Sequence, residues 1–318
     1  MMTPKKANRF TFFLLLYMAV LPFALFFVVN LLGYSQTPKW FTQAITLFQD
    51  FIAFVIPVCV FLFFSKQKIT DLVPHERIDF KNVIYIVGLA ILVMPLMNIL
   101  GVIASIFVNT SVSNEIVNDI NELSFSLGLA VLPAICEEVV FRGIVMTGYK
   151  KVSPFVAIMV SSLFFGFMHQ NLYQFSYAAL TGVFLGFLVY FTNSIYASIL
   201  AHFIINGSQV LATKLALMDN SQAIMESLKQ PLSKTDILAQ LAGSFFFAIL
   251  TLPFFILLFY KFAKRNKASS ARYVLCSSSK ELYVKLNDVE KKDKIVDIYF
   301  IGIVIITIAI FIATSFLA

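Results

Sequence analysis

The sequence predicts an all-α, polytopic integral membrane protein of about nine transmembrane helices, with a core helix bundle around an intramembrane cavity. Three observations predict it. Of 318 residues, 59% are hydrophobic and only 13% charged, whereas soluble domains run about 45–50% apolar and about 25% charged. Apolar runs of roughly 20 residues, the length that crosses a hydrocarbon core, recur nine times along the chain. Lys and Arg gather on alternate connections between those runs, as they do in cytosolic loops. The same composition excludes a disordered chain, which needs low hydrophobicity and high charge.

The nine runs are 10–33, 44–64, 83–107, 123–149, 154–169, 173–192, 194–213, 237–260 and 296–317. The first is too long for a signal-peptide core and has no small-residue cleavage site close behind it, so it reads as a retained span. Runs 123–149 and 194–213 are interrupted by polar residues, and 154–169 is short. The middle runs are joined by connections of a few residues, which makes them antiparallel neighbours. Pro133, one turn before Glu137, removes a backbone donor and opens the helix there. The pattern divides the chain into N-terminal transmembrane helices over 1–122, a polar-bearing core over 123–213, and C-terminal transmembrane helices with a basic loop over 214–318.

Nine alternating spans place nineteen of the 24 Lys and Arg on one side, in the N-terminus, the 65–82 loop, Lys150–Lys151 and the 261–295 loop. Four (Lys39, Lys214, Lys229 and Lys234) fall opposite, and Arg142 lies inside a span. This predicts a cytosolic N-terminus and an outside C-terminus. The net charge of +7 is thus a topology signal, with membrane lipids as the partner. No Gly-rich phosphate loop or nucleic-acid motif is present, so no nucleic-acid partner is expected. Three cysteines, Cys59, Cys136 and Cys276, show no paired spacing and indicate neither a disulfide framework nor a cysteine zinc site.

Ionisable residues inside the spans are few. Each uncompensated charge at mid-membrane costs at least about 2.5–3.5 kcal/mol. Glu137, Glu138 and Arg142 occupy six positions of one run. Glu138 and Arg142 are four apart and share a helical face; Glu137 is turned about 100° away. One glutamate can therefore serve an ion pair while the other is available for chemistry. His169 closes the next run, and His202 and Asn206, again four apart, lie on a third. At about 1.5 Å of rise per residue, the glutamates lie roughly 18–20 Å from the cytosolic end, Asn206 about 19 Å, His202 about 13 Å and His169 about 24 Å. Overlapping depth on three tightly linked spans predicts one shared polar cavity. Asp50, near the outer end of the second span, reads as interfacial. Gly182 and Gly186 form a small-xxx-small pattern suited to close helix packing, and His75 reads as a solvated loop residue.

A glutamate in an apolar cavity is suited to exchanging a proton with water, a histidine to sharing that task, and a His–Asn pair to donating to a developing oxyanion. These are the parts of a peptide-bond hydrolase that uses water directly. Glu137, His169 and His202 alternatively offer a two-histidine, one-carboxylate zinc site, although the His-Glu-x-x-His signature is absent. Intramembrane Glu, Arg and His also build ion pathways, so a proton-coupled transporter is the competing class; no repeat between the two halves supports it.

Glu137-Glu138-x-x-x-Arg142, Phe165-x-x-x-His169 and His202-x-x-x-Asn206, in that order, resemble the three-part signature of the CPBP intramembrane proteases. That family, also called Abi, includes CAAX prenyl endopeptidases and bacteriocin-processing or immunity proteins. The resemblance marks 123–213 as a catalytic core and implies an intramembrane endopeptidase acting on a membrane-associated or lipidated peptide or protein. It implies Glu137 as the base that activates water, His169 as its partner, Glu138 and Arg142 as supports, and His202 and Asn206 as oxyanion donors. It implies no required cofactor, with zinc as the alternative, and points to the bacterial cell membrane. A non-proteolytic immunity or scaffold role is its third outcome. The regions 1–122 and 213–318 lie outside the resemblance, and the substrate, its prenylation and the oligomeric state stay open.

Overall fold

A computed structural model describes residues 2–33, 38–108, 123–229, 233–267 and 294–317. The 109–122 loop and most of the basic 261–295 loop, with Cys276, lie outside the described residues. The described chain is helical: α1 (Pro4–Leu31), α2 (Lys39–Asp50), α3 (Ile56–Ser65), α4 (Ile69–Leu72), α5 (Phe80–Ala104), α6 (Leu123–Glu138), α7 (Met146–Tyr149), α8 (Pro154–Phe167), α9 (Leu172–Thr192), α10 (Ile195–Lys229), α11 (Lys234–Arg265) and α12 (Ile298–Leu317). Apart from one isolated bridge between His75 and Ser194, no strand pairing occurs among these residues.

Polar residues at the ends decide where the helices start. The side chains of Thr3, Asp79, Ser153 and Asn171 accept from backbone N–H groups three residues on, capping α1, α5, α8 and α9. These are the donors that the first turn of a helix leaves without an internal partner. Pro4 and Pro154 follow two of the caps, where a missing N–H costs nothing. Asn193, at φ 50°, stops α9 in the left-handed conformation.

Each of the nine predicted runs is helical where described, but nine spans are not confirmed. Among the described residues, six helices are long and apolar enough to cross a membrane: Pro4–Leu31, Leu47–Ser65, Phe80–Ala104, Leu172–Thr192, Ile195–Leu215 and Lys234–Arg265. Pro154–Phe167 and Ile298–Thr314 are apolar but shorter. The run 123–149 is not one α-helix: between α6 and α7 the backbone widens into a π-helical segment, Val139–Val145. A second π segment, Phe51–Val55, separates α2 from α3.

In lipid, helix association rests on close van der Waals packing and internal hydrogen bonds. α8 and α9 pack antiparallel, with Gly182 against Ser162 and Gly186 against Ile158, as the small-residue pattern predicts. α6 packs on α10, and α5 lies against α9, α10 and α11. Phenylalanines such as Phe23, Phe26, Phe63, Phe64, Phe246 and Phe254 face outward, as helices surrounded by hydrocarbon tolerate. The 65–82 loop folds back under the bundle. Ile195 N–H donates to Pro74 C=O (2.7 Å), Glu76 N–H to Asn193 C=O (3.2 Å), and the Thr147 hydroxyl to Leu72 C=O (2.7 Å).

Candidate active site

The end of α6 and the π segment bring Glu137, Glu138 and Arg142 into the bundle. Arg142 Nη1 donates to Glu138 Oε1 at 2.9 Å, and both side chains are fully buried. Arg142 Nη2 donates to Gly182 C=O on α9 at 3.1 Å. The guanidinium carbon lies 4.5 Å from the centre of the Phe165 ring, a cation–π contact that strengthens away from water. Arg142 is thus tied to α6, α8 and α9 together.

His202 comes in from α10. Its Nδ1 stands 3.0 Å from Glu138 Oε1 and its Nε2 stands 3.7 Å from Glu137 Oε2. A carboxylate only accepts, so the Nδ1 contact assigns the proton to that nitrogen. The second distance is too long for a direct hydrogen bond but close enough for electrostatic interaction. One imidazole therefore lies between the adjacent glutamates, and only Glu138 is also held by arginine. Ser198, one turn before His202, adds its hydroxyl to the surroundings of Glu138.

His169 sits just past the end of α8. Its Nδ1 is 3.0 Å from Phe165 C=O, which makes Nδ1 the donor and leaves the lone pair on Nε2. The following turn holds it in place. Gln170 adopts φ 57°, and Asn171 donates back to His169 C=O at 3.2 Å while capping α9. The Phe165 ring meets the rings of His169 and His202 edge-on, with centroids 5.1 and 5.8 Å away. Phe165 is the shared wall of the site. Asn206 lies one turn beyond His202 on α10, half-buried.

Sequence reasoning missed two participants. Asp50, read as interfacial, is partly buried at the head of the Phe51–Val55 π segment, within electrostatic reach of Glu137 and Cys136. Its signal was available: an acidic residue inside an apolar run, the same scarcity that picked out the glutamates. The second is Gly182, whose carbonyl receives Arg142.

A cavity of about 730 Å³ opens between α5, α9, α10 and α11. The two glutamates, Arg142, His169 and His202 do not line it; Tyr177, Ile205 and Gln209 do. Through Ile205, Ser208 and Gln209 this cavity adjoins the turns of α10 that follow His202. Among the described residues, no three His, Cys, Asp or Glu side chains are grouped to hold a metal ion.

Residues 119–208 match the family described as Type II CAAX prenyl endopeptidase Rce1-like. The match supports a CPBP or CAAX-protease-type core within this segment. The Rce1-like segment covers less than a third of the chain. It contains all seven residues of the three motifs, while α1–α5, α11 and α12 lie outside it. No curated protein and no solved structure matches the chain. With its long apolar helices, the chain is an integral membrane protein carrying an Rce1-like core.

Proposed function

We propose that this protein is an intramembrane endopeptidase that hydrolyses a peptide bond of a membrane-associated or lipidated substrate through a glutamate-activated water. The observation that carries the reading is the pair of adjacent glutamates in different states of engagement. Glu138 is fixed by Arg142 and His202, which leaves Glu137 beside the imidazole without an arginine of its own.

In this reading, Glu137 takes a proton from water as the water oxygen attacks the scissile carbonyl carbon. The His169 Nε2 lone pair faces the same exchange and relays the proton to the leaving nitrogen as the C–N bond breaks. Glu138 orients the His202 ring, and His202 with the Asn206 amide stabilises the developing oxyanion. Arg142 holds Glu138 in place. No step is routed through a metal in this reading. The basic connections face the cytosol, with the N-terminus there and the C-terminus outside.

The test is cleavage of a fluorogenic, membrane-anchored peptide by the purified protein. Glu137→Ala and His169→Ala are each expected to abolish turnover, and chelation to leave it unchanged. Wild-type rates in both variants would sink the assignment. Proton-gradient-dependent substrate uptake into vesicles without proteolysis would replace it with a transporter.

A further inference from the structure

We propose that Tyr177, on α9, is a further catalytic residue whose phenolic O–H donates to the scissile carbonyl oxygen as that oxygen gains charge, alongside His202 and the Asn206 amide. The role rests on the endopeptidase reading. The placement of the hydroxyl rests on a chain of side-chain bonds that starts beside His169.

Asn171, Gln174 and Tyr177 are each three residues apart, so they follow one another along one face of α9 and its cap. Asn171 sets the direction of the chain. Its Oδ1 accepts the Gln174 backbone N–H at 2.7 Å, as a helix cap does. Its Nδ2 is therefore the donor, to His169 C=O at 3.2 Å and to the side-chain carbonyl of Gln174. With that carbonyl taken, the Gln174 amide nitrogen donates to the Tyr177 oxygen beside it. Gln174 is the side chain that bonds this hydroxyl among the described residues. The phenolic hydrogen is left for another acceptor, which a tyrosine in such surroundings ordinarily has.

Position supplies the acceptor. Tyr177 lines the cavity of about 730 Å³ together with Ile205 and Ser208, which stand on either side of Asn206 in α10. Tyr177 is also within electrostatic reach of Glu137. A peptide whose scissile carbon meets the water at Glu137 has its carbonyl oxygen between α9 and α10. There Asn206 approaches from one wall and Tyr177 from the other. The phenol is held from behind. The Tyr173 ring meets it edge-on, with centroids 5.6 Å apart, and Gly101 on α5 keeps the backbone close, since a Cβ there would stand 3.5 Å from Tyr177 Cδ1. A donor fixed before the charge forms stabilises it without reorganisation. Tyr177 keeps its proton throughout, lending a hydrogen bond while the proton transfers run through Glu137 and His169.

The experiment uses purified full-length protein in detergent. It measures turnover of a fluorogenic, membrane-anchored peptide and the affinity for its phosphinic analogue, whose tetrahedral anionic centre mimics the oxyanion. Tyr177→Phe, which keeps the ring, is expected to lower kcat about 100-fold and leave KM within about twofold. Affinity for the analogue is expected to fall about as far as kcat. Tyr173→Phe, whose hydroxyl has no place in the chain from Asn171, is expected to match wild type in both. Gln174→Leu frees the Tyr177 hydroxyl to turn and is expected to lose about tenfold in kcat and in analogue affinity. It carries the test should Tyr177→Phe fold poorly. Wild-type kcat in Tyr177→Phe would overturn the proposal. So would a raised KM at constant kcat, which marks a contact made equally in the ground state. Analogue affinity decides the case in which wild type cleaves nothing. Analogue binding that Tyr177→Phe weakens supports the oxyanion donor while the hydrolase reading fails, and analogue binding that is absent or indifferent to Tyr177→Phe overturns the donor as well.

Discussion

A buried charge pair inside a membrane protein holds only while both partners are present. Glu138 and Arg142 are each fully buried and joined at 2.9 Å, so removing either one strands the other in a medium that does not solvate it. Breaking such a pair typically costs about 3–5 kcal/mol, whereas replacing both partners with uncharged groups of similar volume is often neutral. Arg142→Met is therefore expected to lower the thermal midpoint in detergent strongly, and Glu138→Gln combined with Arg142→Met to recover much of it. Activity should not return in the double variant, because His202 loses the carboxylate that orients it. A double variant as unstable as Arg142→Met alone would contradict this account. The pairing was legible in the sequence, since positions four apart on a helix must meet. The 3.7 Å approach of His202 to Glu137 and the proximity of Asp50 were not. They arise from how α10 and α2 pack on α6, and no local spacing encodes that.

At the scale of the helices, two glycines make the same substitution act in opposite directions. Glycine in a helix interior ordinarily costs about 0.5–1 kcal/mol relative to alanine. At Gly243 the added methyl meets nothing within 4 Å, so Gly243→Ala should be neutral or stabilising. At Gly182 the same methyl would stand 2.9 Å from both Cα and Cβ of Ser162, and a backbone atom cannot rotate aside. Overpacking of this kind costs about 1–3 kcal/mol, which outweighs the propensity gain. Gly182→Ala is thus expected to lower thermal stability. It should also slow turnover, because pushing α9 from α8 moves the carbonyl that receives Arg142. Equal midpoints for the two variants would show that α8 and α9 are not packed as described. The helices themselves were readable from the apolar runs. The π segments were not, because widening the turn changes hydrogen-bond register while leaving composition unaltered; they commonly occur at functional sites, as at Arg142.

At the scale of the whole molecule, the basic connections that the sequence assigns to one side are brought together by specific bonds. Asn8 on α1 donates to Ile295 C=O and to Asp297 at 3.0 Å each, and accepts from Tyr149 at the end of α7. Asn82 on α5 and Asn266 beyond α11 exchange two amide hydrogen bonds at 3.0 Å, next to the Asp79–Arg265 ion pair. The 65–82 loop is bound in turn to the α9–α10 junction. The N-terminus, the 65–82 loop, the α7–α8 turn and both ends of the 261–295 loop therefore gather at one end of the bundle. The bonds say that these segments share a side, and the excess of Lys and Arg carries the proposal that this side is the cytosol. Cys276 tests the assignment, because it belongs to the basic loop, while Cys59 and Cys136 lie within helices. A membrane-impermeant maleimide is expected to label Cys276 in inverted membrane vesicles and not in right-side-out ones, as read by mass spectrometry of its peptide. Ser113→Cys, in the acidic 109–122 loop, should show the reverse pattern. Labelling of Cys276 from the outer face would invert the protein in the membrane. It would place the ends of α7 and α9 outside, so that Glu137 and His169 would be reached along those helices from the opposite side.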